Sequence, residues 1–173
     1  AHTIIIDGEI RATNTLGDFG EIVVGRNLTI KGKNASAVLD AAGKSRIFHL
    51  KGGSGNGKTL ILEDITLKNA QVGSTNEGGG VYIDNGGTLI MAGSSTITNC
   101  KAGKGGGVHV SGGTFKMQDS AVVTPSTGSE QYTAGKNDVY LADGKMITVD
   151  GVLSPAGGIA ARITVGFTQY LPT

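Results

Sequence analysis

Gly78-Gly79-Gly80-Val81-Tyr82-Ile83-Asp84-Asn85-Gly86-Gly87-Thr88-Leu89-Ile90-Met91 recurs 27 positions later as Gly105-Gly106-Gly107-Val108-His109-Val110-Ser111-Gly112-Gly113-Thr114-Phe115-Lys116-Met117. A self-match at a fixed period of this size marks a solenoid. Within each copy the apolar residues alternate, Val81 with Ile83 and Leu89 with Met91, then Val108 with Val110 and Phe115 with Met117. That is the period of a strand, not of a helix. The repeat unit is a coil of short strands joined by glycine-rich corners.

Working outward, the same pattern parses most of the chain. Opening strands are expected at Glu21–Val24, Ile47–Leu50, Val81–Ile83, Val108–Val110 and Val139–Leu141. Second strands follow at Leu28–Ile30, Leu60–Leu62, Leu89–Met91, Phe115–Met117 and Ile147–Val149. Third strands fall at Ile65–Asn69, Ser95–Asn99 and Ala121–Val123. The openers Ile47, Val81, Val108 and Val139 are 34, 27 and 31 residues apart, so insertions belong to the corners. Three strands and three corners per turn describe an all-β, single-stranded parallel β-helix of about six coils, each strand pairing with its counterpart in the next coil at roughly 4.8 Å. A right-handed sense is expected from the general preference for right-handed crossovers. Thr3–Ile10 reads as a further strand, as does Ala161–Val165. Neither reads as a helical cap, so residues 1–173 are expected to form one β-helix domain that is a section of a longer rod.

Composition agrees with this reading. Thirty glycines against three prolines, with no collagen-like triplet, place the excess glycine in turns. Fifteen basic and fourteen acidic residues leave a formal net charge of +1. No basic run could neutralise a row of phosphates, which argues against a nucleic-acid partner. Cys100 is the only cysteine, so no internal disulfide can form, and an inert buried thiol is the expected role. No run of apolar residues is long enough for a transmembrane helix. The opening Ala1-His2-Thr3-Ile4-Ile5-Ile6 lacks the regions of a signal peptide, and the chain reads as a mature product or excised segment.

Several features invite functional readings. Gly52–Thr59 (Gly52-Gly53-Ser54-Gly55-Asn56-Gly57-Lys58-Thr59) satisfies the nucleotide-binding P-loop pattern. That loop works only when it leads into a helix whose N-terminus faces the phosphates, and Leu60–Leu67 alternates as strand. It is read as a glycine corner, with no bound nucleotide or other cofactor expected. Asn69 and Asn99 close equivalent third strands; they are read as a stacked amide ladder or as residues tolerating left-handed backbone. Thr29, Thr66 and Thr96 are placed in matching outward positions, a column that breaks at Val122. It is too sparse for the paired threonine array of an ice-binding face. Tyr82, His109 and Tyr140 share one opener position in successive coils. This column is either a ligand-facing surface or a lateral ladder that stabilises stacked strands.

With those residues in view, the chain resembles the right-handed parallel β-helix repeats of bacterial surface proteins, the polymorphic outer-membrane-protein and adhesin-like group within the pectate-lyase-like fold. The resemblance is carried by Leu28-Thr29-Ile30-Lys31-Gly32, Ala37-Val38-Leu39-Asp40, Arg46-Ile47-Phe48-His49-Leu50, Ile65-Thr66-Leu67-Lys68-Asn69 and the two Gly-Gly-Gly-Val openers. Asn99–Val108 is similar to a degenerate form of the family's paired short motifs, with Thr96 where a Phe is usual. Asn137–Ala142 leading to Ile147–Val149 is similar to segments that close such arrays. The resemblance implies an extracellular or cell-surface location and a non-enzymatic, adhesin-like role, with host-cell or matrix glycans or proteins as partners. The alternative is a carbohydrate-active enzyme or carbohydrate-binding module on the same scaffold. Cleavage would need facing carboxylates or a calcium-binding carboxylate cluster beside a base. Glu63, Asp64, Asp84 and Asp119, near Lys68 or Lys116, are the residues that could supply one. Each is better explained as a solvated corner, so no catalytic or metal-ligating residue is assigned.

Overall fold

The computed structural model describes residues 2–13, 20–52, 57–124 and 139–166. Their regular structure is β throughout. The first coil holds β1 (His2–Ile6), β2 (Glu9–Arg11) and β3 (Ile22–Val23), and the second β4 (Leu28–Gly32), β5 (Val38–Asp40) and β6 (Phe48–Leu50). The third holds β7 (Thr59–Glu63), β8 (Thr66–Lys68) and β9 (Val81–Ile83), and the fourth β10 (Thr88–Ala92), β11 (Thr96–Thr98) and β12 (Val108–Val110). The fifth holds β13 (Thr114–Asp119), β14 (Val122–Val123) and β15 (Val139–Leu141). The sixth has β16 (Ile147–Leu153) and β17 (Ile163–Val165).

Stacking gives three parallel sheets: sheet I in the order β1-β4-β7-β10-β13-β16, sheet II β2-β5-β8-β11-β14 and sheet III β3-β6-β9-β12-β15-β17. The parallel β-helix read from the alternation is therefore the architecture, and the repeat's self-match is its register, with Val81 beside Val108 and Leu89 beside Phe115.

Register turns the alternation into core columns. In sheet I, Leu28, Leu60, Leu89, Phe115 and Ile147 stack in line, as do Ile30, Leu62, Met91 and Met117. Sheet II contributes Leu39, Leu67, Ile97 and Val123, and sheet III Phe48, Val81, Val108 and Val139 beside Leu50, Ile83, Val110 and Leu141. Most of these side chains are wholly buried. Burying a side chain of this size contributes about 1.5–3 kcal/mol, which is what holds strands of two to seven residues together.

The corners add polar ladders. Asn69 and Asn99 have φ of 56° and 50°, and Asn99 Nδ2 donates to Asn69 Oδ1 at 2.6 Å while Asn69 Nδ2 donates to Asp40 Oδ1 at 2.9 Å. Both readings of these asparagines hold together. Asp64 and Asp119, also left-handed, sit at the tight corner between sheets I and II; Ser94 N donates to Asp64 and Gly93 N to Asp119, each at 2.9 Å.

Two expectations need correction. Thr29 lies in sheet I, beside Ile61, whereas Thr66 and Thr96 pair in sheet II and Val122 follows them. Leu-Thr-Ile and Ile-Thr-Leu look alike along the chain, and only stacking separates them. A threonine column does exist, but at Thr59, Thr88 and Thr114. Thr3–Ile10 is two strands, split at Gly8, whose φ of 93° turns the chain within a single residue.

Candidate functional site

Chain length varies mostly along one edge of the rod. Between sheets I and II the connections are 7–8, 33–37, 64–65, 93–95 and 120–121. Between sheets II and III they are 12–21, 41–47, 69–80, 99–107 and 124–138, the longest connection in each complete coil except the second, where 51–58 exceeds 41–47 by one residue. Insertions gathered on one face of a solenoid are where such proteins carry binding surfaces. Corners 41–47 and 69–80 enclose a cleft of about 550 Å³ lined by Lys44, Arg46, Gln71 and Asn76, with Glu21 at its side.

The first four of these corners each deliver a charged residue just ahead of sheet III, namely Glu21, Arg46, Glu77 and Lys104. The outward column of that sheet is His49, Tyr82, His109 and Tyr140, one per coil and in register. Their ring centroids are 5.0, 5.4 and 4.9 Å apart in that order, the last pair stacked. Arg46 lies 5.0 Å over Tyr82 and Lys104 lies 5.2 Å over Tyr140, within the range of cation–π attraction. Arg46 also pairs with Glu21 and donates to the carbonyls of Gly78 (2.7 Å) and Glu77 (2.6 Å). Glu21 accepts from His49 Nδ1 at 2.9 Å, and Glu77 reaches His109 Nε2 at 3.5 Å and Lys104 at 3.9 Å. The cleft and the column thus share Arg46 and Glu21.

The column read from the sequence is present, but His109 is only 2 % exposed, so the column is not an open surface along its length. Tyr82 and Tyr140 are half-buried, with their faces turned to neighbouring rings and cations. This is the geometry of a stabilising ladder, bordered by the polar corners. His49 and His109, 60 residues apart in sequence, both flank Tyr82. His49 could have been found, since it is the middle residue of Phe48-His49-Leu50 as Tyr82 is of Val81-Tyr82-Ile83. Glu77 and Lys104 sit directly ahead of the two Gly-Gly-Gly-Val copies, 27 residues apart and in register, and could have been found from the repeat, whereas Glu21 and Arg46 become visible only in three dimensions.

Burial lowers the His109 pKa below its ordinary value, and this outweighs the opposing pull of Glu77 and of the Lys104 carbonyl; the charges of Lys104 and Arg46 push the same way as burial. Burial alone would raise the Glu21 carboxyl, but the His49 hydrogen bond and the Arg46 charge hold it below the usual range. Asp40 behaves alike: burial is outweighed by the Ala42 N–H, the Asn69 amide, and the charges of Lys68 and Arg11. The unfolded chain therefore binds more protons than the folded one, through His109 below about pH 6.5 and through the carboxylates in more acid solution. Stability is expected to be greatest above pH 6.5 and to fall as pH drops below it. Thermal melts between pH 7.5 and 5 check this, and His109→Phe, which keeps the ring and removes the titration, should flatten the profile between pH 7 and 5.5. An unchanged slope in that variant contradicts the assignment.

The acidic residues are dispersed. Glu63 pairs with Lys31, Asp64 and Asp119 hold the tight corner, and Asp84 lies in the separate turn after β9. Lys68 is engaged by Glu9 and Asp40, and Lys116 by Asp150. Among the described residues no three His, Cys, Asp or Glu side chains come together as a metal-binding group. Cys100 is buried, and burial pushes its thiol up to about 12.

In the P-loop-like stretch, residues 53–56 lie outside the described residues, but Thr59 already begins β7 in place of the helix the motif needs. Gly52 and Gly57 have a packing reason: a Cβ at Gly52 would fall 1.2 Å from the Asn85 carbonyl oxygen, and one at Gly57 1.3 Å from that of Gly86. Asn137 and Asp138 of the array-closing segment also lie outside the described residues. No helix among the described residues is long and apolar enough to cross a membrane. No family model, curated protein or solved structure matches the chain.

Proposed function

We propose that this chain is a non-enzymatic, adhesin-like interaction module, displayed on a bacterial cell surface or secreted, whose rod holds its long-corner edge toward host-cell or matrix glycans or proteins. The observation that supports this reading is the concentration of long connections between sheets II and III, beside tight corners between sheets I and II. A stacked core tolerates such corners because each coil is held by its neighbours. The cleft lined by Lys44, Arg46, Gln71 and Asn76 offers hydrogen-bond donors of the kind that sugar hydroxyls and acidic groups accept.

Incubation with a panel of labelled polysaccharides and matrix proteins, reading both retained label and polymer length, tests it. Retention of an intact polymer is expected. Joint replacement of Lys44, Gln71 and Asn76 by alanine should weaken retention roughly tenfold, equivalent to about 1.4 kcal/mol. Replacing Ser36 and Ser94, at the corners between sheets I and II, should leave it unchanged. Shortened polymer would instead establish an enzyme, and no retention by any member of the panel would refute the reading.

A further inference from the structure

Gln71, on the wall of the cleft between corners 41–47 and 69–80, belongs to a line of polar residues that runs along the rod. Its N–H donates to the Ser45 carbonyl at 3.2 Å, and it forms a parallel bridge with Lys101, so Ser45, Gln71 and Lys101 stand in three successive coils. At roughly 4.8 Å per coil their backbones climb about 10 Å along the axis, with Lys44 beside the first. Lys44, Gln71, Asn76 and Lys101 are all exposed. Charge along this line is unbalanced. Corners 41–47, 69–80 and 99–107 carry Lys44, Arg46, Lys101 and Lys104 against one carboxylate, Glu77, with Glu21 beside them. Both carboxylates are engaged, Glu21 by Arg46 and His49 and Glu77 by Lys104 and His109. Arg46 is further committed to the carbonyls of Glu77 and Gly78. Lys44 and Lys101 are left with no carboxylate partner among the described residues.

The donor set decides what fits. A lysine ammonium is a point charge that takes a carboxylate or a sulfate oxygen, and the amides of Gln71 and Asn76 can both donate to and accept from hydroxyls. The cleft has no aromatic ring in its lining, and Val72 is its one apolar side chain, so it lacks the buried anchors on which protein partners usually depend. We propose that the ligand of the long-corner edge is a linear acidic polysaccharide lying along the rod axis, a proposal that rests on the adhesin-like reading and narrows it. Its acidic groups meet Lys44 and Lys101 in turn, and its hydroxyls meet Gln71 and Asn76. Arg46, spent on Glu21 and two carbonyls, is a positioning residue that ties corner 41–47 to corner 69–80.

Retention of matched polymers by the immobilised full chain tests this. Hyaluronan, whose charges are carboxylates, is compared with its carboxyl-reduced form, and dextran sulfate with dextran, beside a set of matrix proteins. An acidic member should be held roughly tenfold more tightly than its neutral match, and which acidic member is held tells carboxylate from sulfate. Lys44→Gln with Lys101→Gln should remove that advantage and flatten the dependence on salt, since fewer counterions are released. Lys44→Arg with Lys101→Arg keeps the charge and should keep the retention. Arg26→Gln with Lys51→Gln makes the same charge change at exposed corners between sheets III and I and should alter nothing. Equal retention of acidic and neutral polymers, or of matrix proteins alone, overturns the proposal and leaves the adhesin-like reading standing. An equal loss in the Arg26 and Lys51 variant also overturns it, because bulk charge would then be the cause. Retention of nothing overturns both.

Discussion

Val108→Asp is expected to abolish cooperative folding. Val108 is wholly buried in sheet III between Val81 and Val139, and among the described residues no lysine or arginine is buried in the core. An uncompensated carboxylate in such a site costs about 3–5 kcal/mol, and the lost packing of the valine methyls adds to that. Domains of this size have roughly 5–15 kcal/mol in all. The expected far-ultraviolet circular dichroism melt has no sharp transition, and a melt like the parent's would refute the inward placement of residue 108.

Phe115→Ala comes next in size. The ring is fully buried in the sheet I column between Leu89 and Ile147, where truncation leaves a cavity and costs about 3–5 kcal/mol. At about 2–4 °C per kcal/mol for a chain of this length, the melting temperature should drop by roughly 10 °C. The site of the damage is also predictable. Coils touch only their neighbours, so β16 and β17, held on one side, should lose amide-exchange protection before β7 and β10 do. Uniform loss along the rod would contradict a nearest-neighbour stack.

Most of the fold was legible because the solenoid repeats its evidence. Val81 and Ile83 specify an inward pair, and the same pair as Val108 and Val110 specifies which strand lies next to it. Legibility stopped where one coil looks like another along the chain but not across it. Thr29 sits in a tripeptide much like those around Thr66, and alternation carries no label for the sheet. His49 is far from Tyr82 along the chain, but in a parallel coil the residue about thirty positions away is the neighbour. The polar surround of the aromatic ladder was legible only in part, for another reason. Glu77 and Lys104 keep the 27-residue period, but Glu21 and Arg46 come from corners of other lengths, and their meeting with the ladder depends on how each corner folds back over sheet III.

Register carries the whole account, because the aromatic ladder and the long-corner edge both follow from it. Disulfide trapping measures it directly. Thr88 and Thr114 are partners on adjacent strands, at a spacing of roughly 4.8 Å that a disulfide can bridge. The native Cys100 is buried and does not compete. Mild oxidation of Thr88→Cys with Thr114→Cys should close an intramolecular bond quickly, while Thr88→Cys with Lys116→Cys, two residues out of step on the same face, should close slowly or not at all. Faster closure of the second pair would contradict the stacking described for this protein.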